Sequence, residues 1–307
     1  MVTRRLMGWL TPQRLVLLAL RVRPNSEFII FRQQRLTRGQ VFAECQSLAS
    51  GLRSLGVKRG DRVVTLLPAC PEAVYTMFLP ALLGTVNVPL NPLLGEHELA
   101  HILADCKARM VITTSNWYGQ DYPALLERLL PGLPHLQHVI VRDWTDADGD
   151  GTIFLPLRQV MAGGHLQHRT PAAADELTAI LYTSGTTGLP KGVMHVRSGP
   201  LSLASRATSS HLNLSPLRCL LLPFPPYQYA GQLGLVATLL AGGKVILMDR
   251  LDPQRMVEHI EEEKVTQIGA SPTVYRLLLR LPGQERADLS SIQRITFSTE
   301  PCPPDLA

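Results

Sequence analysis

The chain has 307 residues, enough to bury one large core or two smaller ones, and its 45% hydrophobic and 18% charged content excludes a disordered polypeptide. Thirty basic against 25 acidic residues leave a formal charge of +5, with no dense Lys/Arg patch alternating with aromatics, which argues against a nucleic-acid partner. Five widely spaced cysteines, Cys45, Cys70, Cys106, Cys219 and Cys302, form no CxxC pair, so neither a disulfide framework nor a structural zinc site is expected, and a reducing, cytoplasmic setting fits them.

Arg4, Arg5, Arg14, Arg21 and Arg23 all precede the first acid, Glu27, with leucines interspersed from Leu10 to Leu20. An amphipathic targeting segment, mitochondrial for example, has this look, but an ordinary first helix accounts better for the short apolar run. Gln40–Leu55 spaces its apolar residues as a helix with one buried face, stopped at Gly56. Val63–Leu67 reads as an interior strand ended by Pro68, and Glu72–Leu83 as one helix with Pro71 near its start. A strand over Thr85–Val88, a helix over Glu96–Ala104 and a strand over Arg109–Thr113 continue the alternation. Such alternation predicts α/β architecture, with layered, mostly parallel sheets covered by helices on both faces.

A helix over Tyr122–Leu130 and a strand over Leu136–Val141 follow, and from Arg142 to Ala174 the pattern decays into Asp, Gly, Thr, Ala and His. The subdomain boundary is placed here, with residues 1–175 as a first α/β subdomain and trailing linker and residues 176–307 as a second. His165 and His168 have no Cys, Asp or Glu at metal-site spacing and read as exposed loop residues, so no metal ligands are assigned.

Leu177–Tyr182 reads as a short buried strand, and the sequence then turns abruptly to Thr183-Ser184-Gly185-Thr186-Thr187-Gly188-Leu189-Pro190-Lys191-Gly192. Gly185 and Gly188 can take backbone angles closed to other residues, turning successive N–H groups toward one anion, while the hydroxyls of Thr183, Ser184, Thr186 and Thr187 add donors. Lys191 supplies a positive point charge for a phosphate or carboxylate, and Pro190 stiffens the approach to it. A Walker A loop needs glycine before its lysine and a hydroxyl after it; Pro190 and Gly192 stand there instead, so this is not a standard P-loop.

Beyond it, Leu201–Ser209 is read as helical and Cys219–Leu222 as a strand leading into the proline-rich, aromatic turn Pro223–Gly231. Helices over Gln232–Leu240, Pro253–Glu262 and Pro272–Arg280 alternate with strands over Lys244–Met248, Thr266–Gly269 and Ser291–Phe297. Ala73–Gly95 and Cys219–Gly243 are uncharged over a membrane-span length, but prolines and polar residues interrupt both, and buried helix-turn-strand units explain them better.

Tyr182 through Val193 resembles the signature of the adenylate-forming superfamily of acyl-CoA synthetases, luciferases and peptide-synthetase adenylation domains, and the similarity continues through most of the chain, including Val57–Asn91. The resemblance implies the large N-terminal domain of that superfamily, and activation of a small-molecule carboxylic acid with ATP and Mg²⁺ to an acyl-adenylate, followed by transfer to coenzyme A. It implies that residues 183–188 hold the ATP phosphates, with Lys191 and Thr186 assisting the chemistry, and that Thr299, Glu300 and Pro301 lie against the adenine. Tyr227, Gln228 and Gly231 would line the acid pocket, Gln228 standing where many members have histidine, and Thr299 where glycine is common.

An aliphatic or aromatic acid is expected, and peripheral membrane contact stays open for an enzyme of such acids. Later family elements, among them a magnesium-binding Glu and a catalytic lysine on a small C-terminal domain, are not found up to Ala307, so a truncated, N-terminal portion with poor turnover by itself is expected. A nonenzymatic nucleotide-binding or interaction protein of the same fold is the alternative.

Overall fold

In the computed structural model the described residues are 12–145, 153–164, 166, 176–183, 188–196, 219–282, 287–298 and 300–304. Among them the strands in chain order are β1 (Glu27–Phe31), β2 (Gln34–Thr37), β3 (Arg62–Leu66), β4 (Val86–Pro89), β5 (Met110–Thr113), β6 (Asn116–Trp117), β7 (Gln120–Asp121), β8 (His138–Val141), β9 (Phe154–Pro156), β10 (Leu177–Thr183), β11 (Lys191–Val196), β12 (Cys219–Leu222), β13 (Lys244–Leu247), β14 (Gln267–Ala270) and β15 (Arg294–Phe297). The fold is mixed α/β with parallel-dominated sheets, as the alternation of strands and helices predicts.

The chain divides into two compact units: Met1–Leu18, Gln40–Pro68 and Glu72–Leu203 make the first, and Ala19–Gly39, Ala69–Pro71 and Ala204–Ala307 the second. They interleave in sequence, whereas a single boundary near residue 175 was expected. The physical reason lies in strand pairing. β10 bridges β4 in parallel at Ala179↔Asn87, which seats it in the first unit's sheet, and β1 pairs with β13 through Ile29↔Val245 to Phe31↔Leu247, which draws the N-terminal strands into the second.

In the first unit the described strands run in the order β11-β10-β4-β3-β5-β8-β9, with β11 antiparallel and the other pairs parallel. Val64, Val88, Val111 and Val139 from adjacent strands are at most barely accessible, and the helix Glu96–Asp105 lays Leu99, Ile102 and Leu103 against them. The expected single helix over Glu72–Leu83 is in fact two, Pro71–Thr76 and Leu79–Leu83. Pro80 has no N–H to donate and its ring clashes with the carbonyl four residues back, that of Thr76, the residue where the first segment ends.

In the second unit the order is β15-β14-β12-β13-β1-β2, parallel except for the β1–β2 pair. Ile30, Leu221, Ile246 and Ile268 meet Met256 and Ile260 of the helix Pro253–Glu263 and Tyr275 of the helix Pro272–Leu279. Asp252 caps the first of these helices, its carboxylate accepting the Arg255 N–H at 3.1 Å. A charged lattice ties β1, β2 and β13 to it: Lys244 Nζ lies 2.9 Å from Glu263 and 3.3 Å from Glu27, and Arg35 bonds both carboxylates.

Two elements stand where the sequence shows only decay, β9 and the short helix Leu157–Met161; they are three and five residues long, too short to leave a periodic trace. The helix expected over Leu201–Ser209, the polar stretch Asp146–Gly151, and His165 and His168 lie outside the described residues. Among the described residues no helix is long and apolar enough to cross a membrane.

Candidate functional site

The signature is built on a hairpin at the edge of the first unit's sheet. β10 and β11 pair antiparallel from Leu177↔Val196 to Thr183↔Lys191, so the loop proper is shorter than the signature and Lys191 opens a strand. Gly192 leaves the strand free to continue into Val193-Met194-His195-Val196, whose β-branched valines favour extended backbone. Only His195 of this strand turns inward, and burial lowers its imidazole pKa.

At the tip, Thr183 and Lys191 are exposed register partners, and Gly188 holds φ of 111°, in the region that favours glycine. Among the described residues the Lys191 ammonium meets no carboxylate within salt-bridge range. Ser184, Gly185, Thr186 and Thr187 lie outside the described residues. A cation raised on a strand end without an acidic partner, beside a hydroxyl and a left-handed glycine, is a fit for an anion such as a phosphate chain.

Two other groups of predicted residues gather at the carboxyl ends of the second unit's parallel strands. From β12 the chain goes to β13 on one side and then to β14 on the other, which makes the β12–β14 pair a topological switch point; ligands of open α/β sheets characteristically sit outside such a point. β12 runs out into Pro223–Gln228, β14 into Ser271 and the helix Pro272–Leu279, and β15 into Ser298 and Glu300. Glu300 accepts the Thr273 hydroxyl at 3.0 and 3.2 Å, linking the segment after β15 to the helix after β14.

Gln228 is exposed and precedes the helix Tyr229–Leu240, its N–H donating to the Pro225 carbonyl at 3.0 Å. Gly231 is buried beneath that same carbonyl: a Cβ there would come within 2.2 Å of the Pro225 oxygen. Tyr227 is half-buried beside them, and Thr299 lies outside the described residues.

A family model for AMP-binding enzymes matches residues 18–307. The chain belongs to that family. It is 32% identical over 289 residues to a feruloyl-CoA synthase of Amycolatopsis sp, covering 94% of this chain and 54% of that protein. To a medium-chain fatty-acid–CoA ligase of Escherichia coli K12 it is 34% identical over 250 residues, covering 80% and 43%. The crystal structure of the anthranilate CoA ligase AuaEII in complex with anthranoyl-AMP superposes with a TM-score of 0.85 at 25% identity, covering 97% of this chain and 56% of that one. The chain thus spans about half the length of the curated relatives it matches.

In this member of the AMP-binding family the sequence-derived residues fall into two sets, one at each unit: Thr183, Gly188 and Lys191 on the hairpin, and Tyr227, Gln228, Gly231, Glu300 and Pro301 along the rim of the second sheet. Sequence reasoning missed the helix Glu96–Asp105 as a neighbour of the signature. His101 Nε2 lies 3.3 Å from the Pro190 carbonyl oxygen, and the Tyr182 hydroxyl donates to Asp105. Burial, followed by that bond, pushes the Tyr182 phenol pKa upward. The one signal available was the spacing of His101 and Asp105, four apart on one helical face. Among the described residues no group of three His, Cys, Asp or Glu side chains could hold a metal ion.

Proposed function

We propose that this chain carries the nucleotide and acid sites of an ATP-dependent acid–thiol ligase. The carboxylate of an apolar acid attacks the α-phosphate of ATP, forming an acyl-adenylate and releasing pyrophosphate; the thiol of coenzyme A then takes the acyl group and AMP leaves. The observation that carries the reading is the hairpin tip, where Thr183 pairs with Lys191, Gly188 holds a positive φ, and Lys191 meets no carboxylate among the described residues.

Residues 183–188 hold the phosphate chain, and Lys191 offsets its charge. Preorganised donors of this kind stabilise the transition state because they need no reorganisation as charge moves. Thr186 belongs to the same grip. Thr299, Glu300 and Pro301 flank the base, and Tyr227, Gln228 and Gly231 border the acid. Gln228 can donate a hydrogen bond but cannot titrate near neutrality, so acid entry here is not gated by protonation. Mg²⁺ accompanies the triphosphate as a shared counter-charge, with no protein ligand assigned to it. The names of the relatives, feruloyl, medium-chain fatty acid and anthranilate, support an acid with a large apolar body.

Calorimetric titration of the chain with MgATP tests the reading. Lys191→Met is expected to weaken binding about tenfold or more, the loss of one charge-assisted contact of roughly 1.5–3 kcal/mol. Unchanged affinity refutes the assignment. Little or no pyrophosphate release is expected of this chain by itself, so competition between MgATP and a non-hydrolysable acyl-adenylate analogue separates the readings: an analogue that displaces ATP and binds at least about tenfold tighter than AMP supports a ligase site, and one that binds no better than AMP supports a nonenzymatic nucleotide-binding protein.

A further inference from the structure

The hairpin that carries Lys191 forms the edge of the first unit's sheet. β10 is bridged to β4 at Ala179↔Asn87, and its pairing with β11 runs on to Thr183↔Lys191, so the tip lies beyond the residue pair that ties the hairpin to β4. A two-stranded hairpin is marginal in water without packing against something else.

The helix Glu96–Asp105 supplies the packing. Its apolar face, Leu99, Ile102 and Leu103, shares a core with Ile180, against which the ring of Tyr182 also packs. Its polar face presents His101 and Asp105, four residues apart and therefore stacked on one side of the helix. These two side chains take hold of both strands of the hairpin: Asp105 accepts from Tyr182, the residue before Thr183, and His101 meets the carbonyl of Pro190, the residue before Lys191. A carbonyl can only accept, so the His101 Nε2 carries the proton.

Asp105 lies at the C-terminal end of its helix, where the macrodipole disfavours a carboxylate. The Tyr182 hydroxyl is the side-chain partner that meets it there. Pro190 has no N–H, so its carbonyl is its one backbone anchor, and that anchor sits one peptide from the lysine.

We propose that His101 and Asp105 clamp the hairpin tip and that His101 is a positioning residue for the nucleotide's β- and γ-phosphates, acting through Pro190 on Lys191. The inference rests on the functional reading above and adds to it a contact more than eighty residues away in sequence. Loosening the clamp leaves the lysine present but misplaced.

The test uses the full chain and three variants, His101→Leu, His101→Gln and Tyr182→Phe, each titrated with MgATP and with AMP and each melted thermally. His101→Leu fills the space without a donor and is expected to weaken MgATP about three- to tenfold, the equivalent of one hydrogen bond. AMP, which lacks the β- and γ-phosphates, is expected to shift less than twofold. His101→Gln, whose amide N–H reaches the position of Nε2, is expected to restore MgATP affinity to within about twofold. Tyr182→Phe is expected to follow His101→Leu.

Unchanged MgATP affinity in His101→Leu overturns the clamp. So does an equal loss for MgATP and AMP accompanied by a lower Tm, since that pattern means structural damage. If the unmodified chain binds MgATP no better than AMP, the phosphate assignment of the hairpin fails first and the clamp falls with it.

Discussion

Replacing Gly231 by alanine puts a methyl group where the chain has a peptide carbonyl. The added Cβ would lie 2.2 Å from the Pro225 oxygen and 2.9 Å from both the Phe224 oxygen and the Pro225 carbonyl carbon, all backbone atoms that cannot rotate aside. Relief requires moving the Pro223–Gln228 segment off the helix it covers, and the Pro225 carbonyl that must move also accepts the Gln228 N–H at 3.0 Å. Overpacking of this kind costs about 1–3 kcal/mol and the strained hydrogen bond about 0.5–1.5 kcal/mol, while alanine returns up to about 1 kcal/mol of helix propensity.

The balance is a loss of about 2 kcal/mol, or a Tm lower by roughly 4–8 °C. Thermal melting with a urea titration at unchanged m-value measures it. Gly234→Ala is the control on the same helix. Its nearest neighbour is the Leu222 Cδ1 methyl at 3.1 Å, a side-chain end that can turn away, so the Tm is expected to hold or rise. A Gly231→Ala protein melting within about 1 °C of the parent refutes the close approach.

Glu263→Gln tests the charged lattice. Burial alone would raise the Glu263 carboxyl, but its bonds to Arg35 and Lys244 outweigh burial and hold its pKa below the usual value. A depressed carboxylate contributes stability above its unfolded pKa and loses it as the pH falls through the folded one. The parent is therefore expected to exceed the variant by about 1–2 kcal/mol at neutral pH, discounted for the exposure of Arg35, with the gap starting to narrow as the pH falls below roughly 4.5; denaturant titrations across pH check it, and a gap that widens on acidification contradicts it.

Thiol labelling of the native chain is expected to modify Cys302 alone, because the other four cysteines are buried and burial pushes Cys106 and Cys219 up to about 12; rapid native labelling of Cys219 contradicts it. Gly192→Ala brings a Cβ to 2.8 Å from Ile180 Cγ2 and 3.1 Å from Tyr182 Cζ, pushing the tyrosine off Asp105. Weaker MgATP binding, by about threefold or more, is expected by calorimetry, and parental affinity rejects the prediction.

Where apolar runs are long enough to be buried on both faces, the sequence announced the fold. Val63–Leu67 was legible as an interior strand and Cys219–Leu222 and Lys244–Met248 as strands, and the observed strands begin or end within a residue or so of them. The break at Pro80 was missed, Glu72–Leu83 being read as one helix, although the rule that proline disrupts the turn four residues earlier needs only local sequence. What local sequence could not carry was pairing at a distance. Glu27–Phe31 belongs with Lys244–Leu247, and nothing in either segment names the other.

The candidate site divides in the same way. The hydroxyls, glycines and Lys191 stood out as a cluster in the sequence. His101 and Asp105 did not, because they reach the hairpin across a fold that must form first.

That the opening strand closes onto a partner more than two hundred residues later also sets a timetable for synthesis. Phe28, Ile29, Ile30 and Phe31 are almost wholly inaccessible in the finished protein, yet at about 5–20 residues per second they wait roughly 10–40 s before β13 leaves the ribosome. During that interval β1 has only β2 to pair with and its other edge stays open, while the first unit's strands emerge. The open, apolar edge of β1 is thus exposed to wrong pairing for as long as β13 is still to come, and faster synthesis of the intervening residues shortens that exposure.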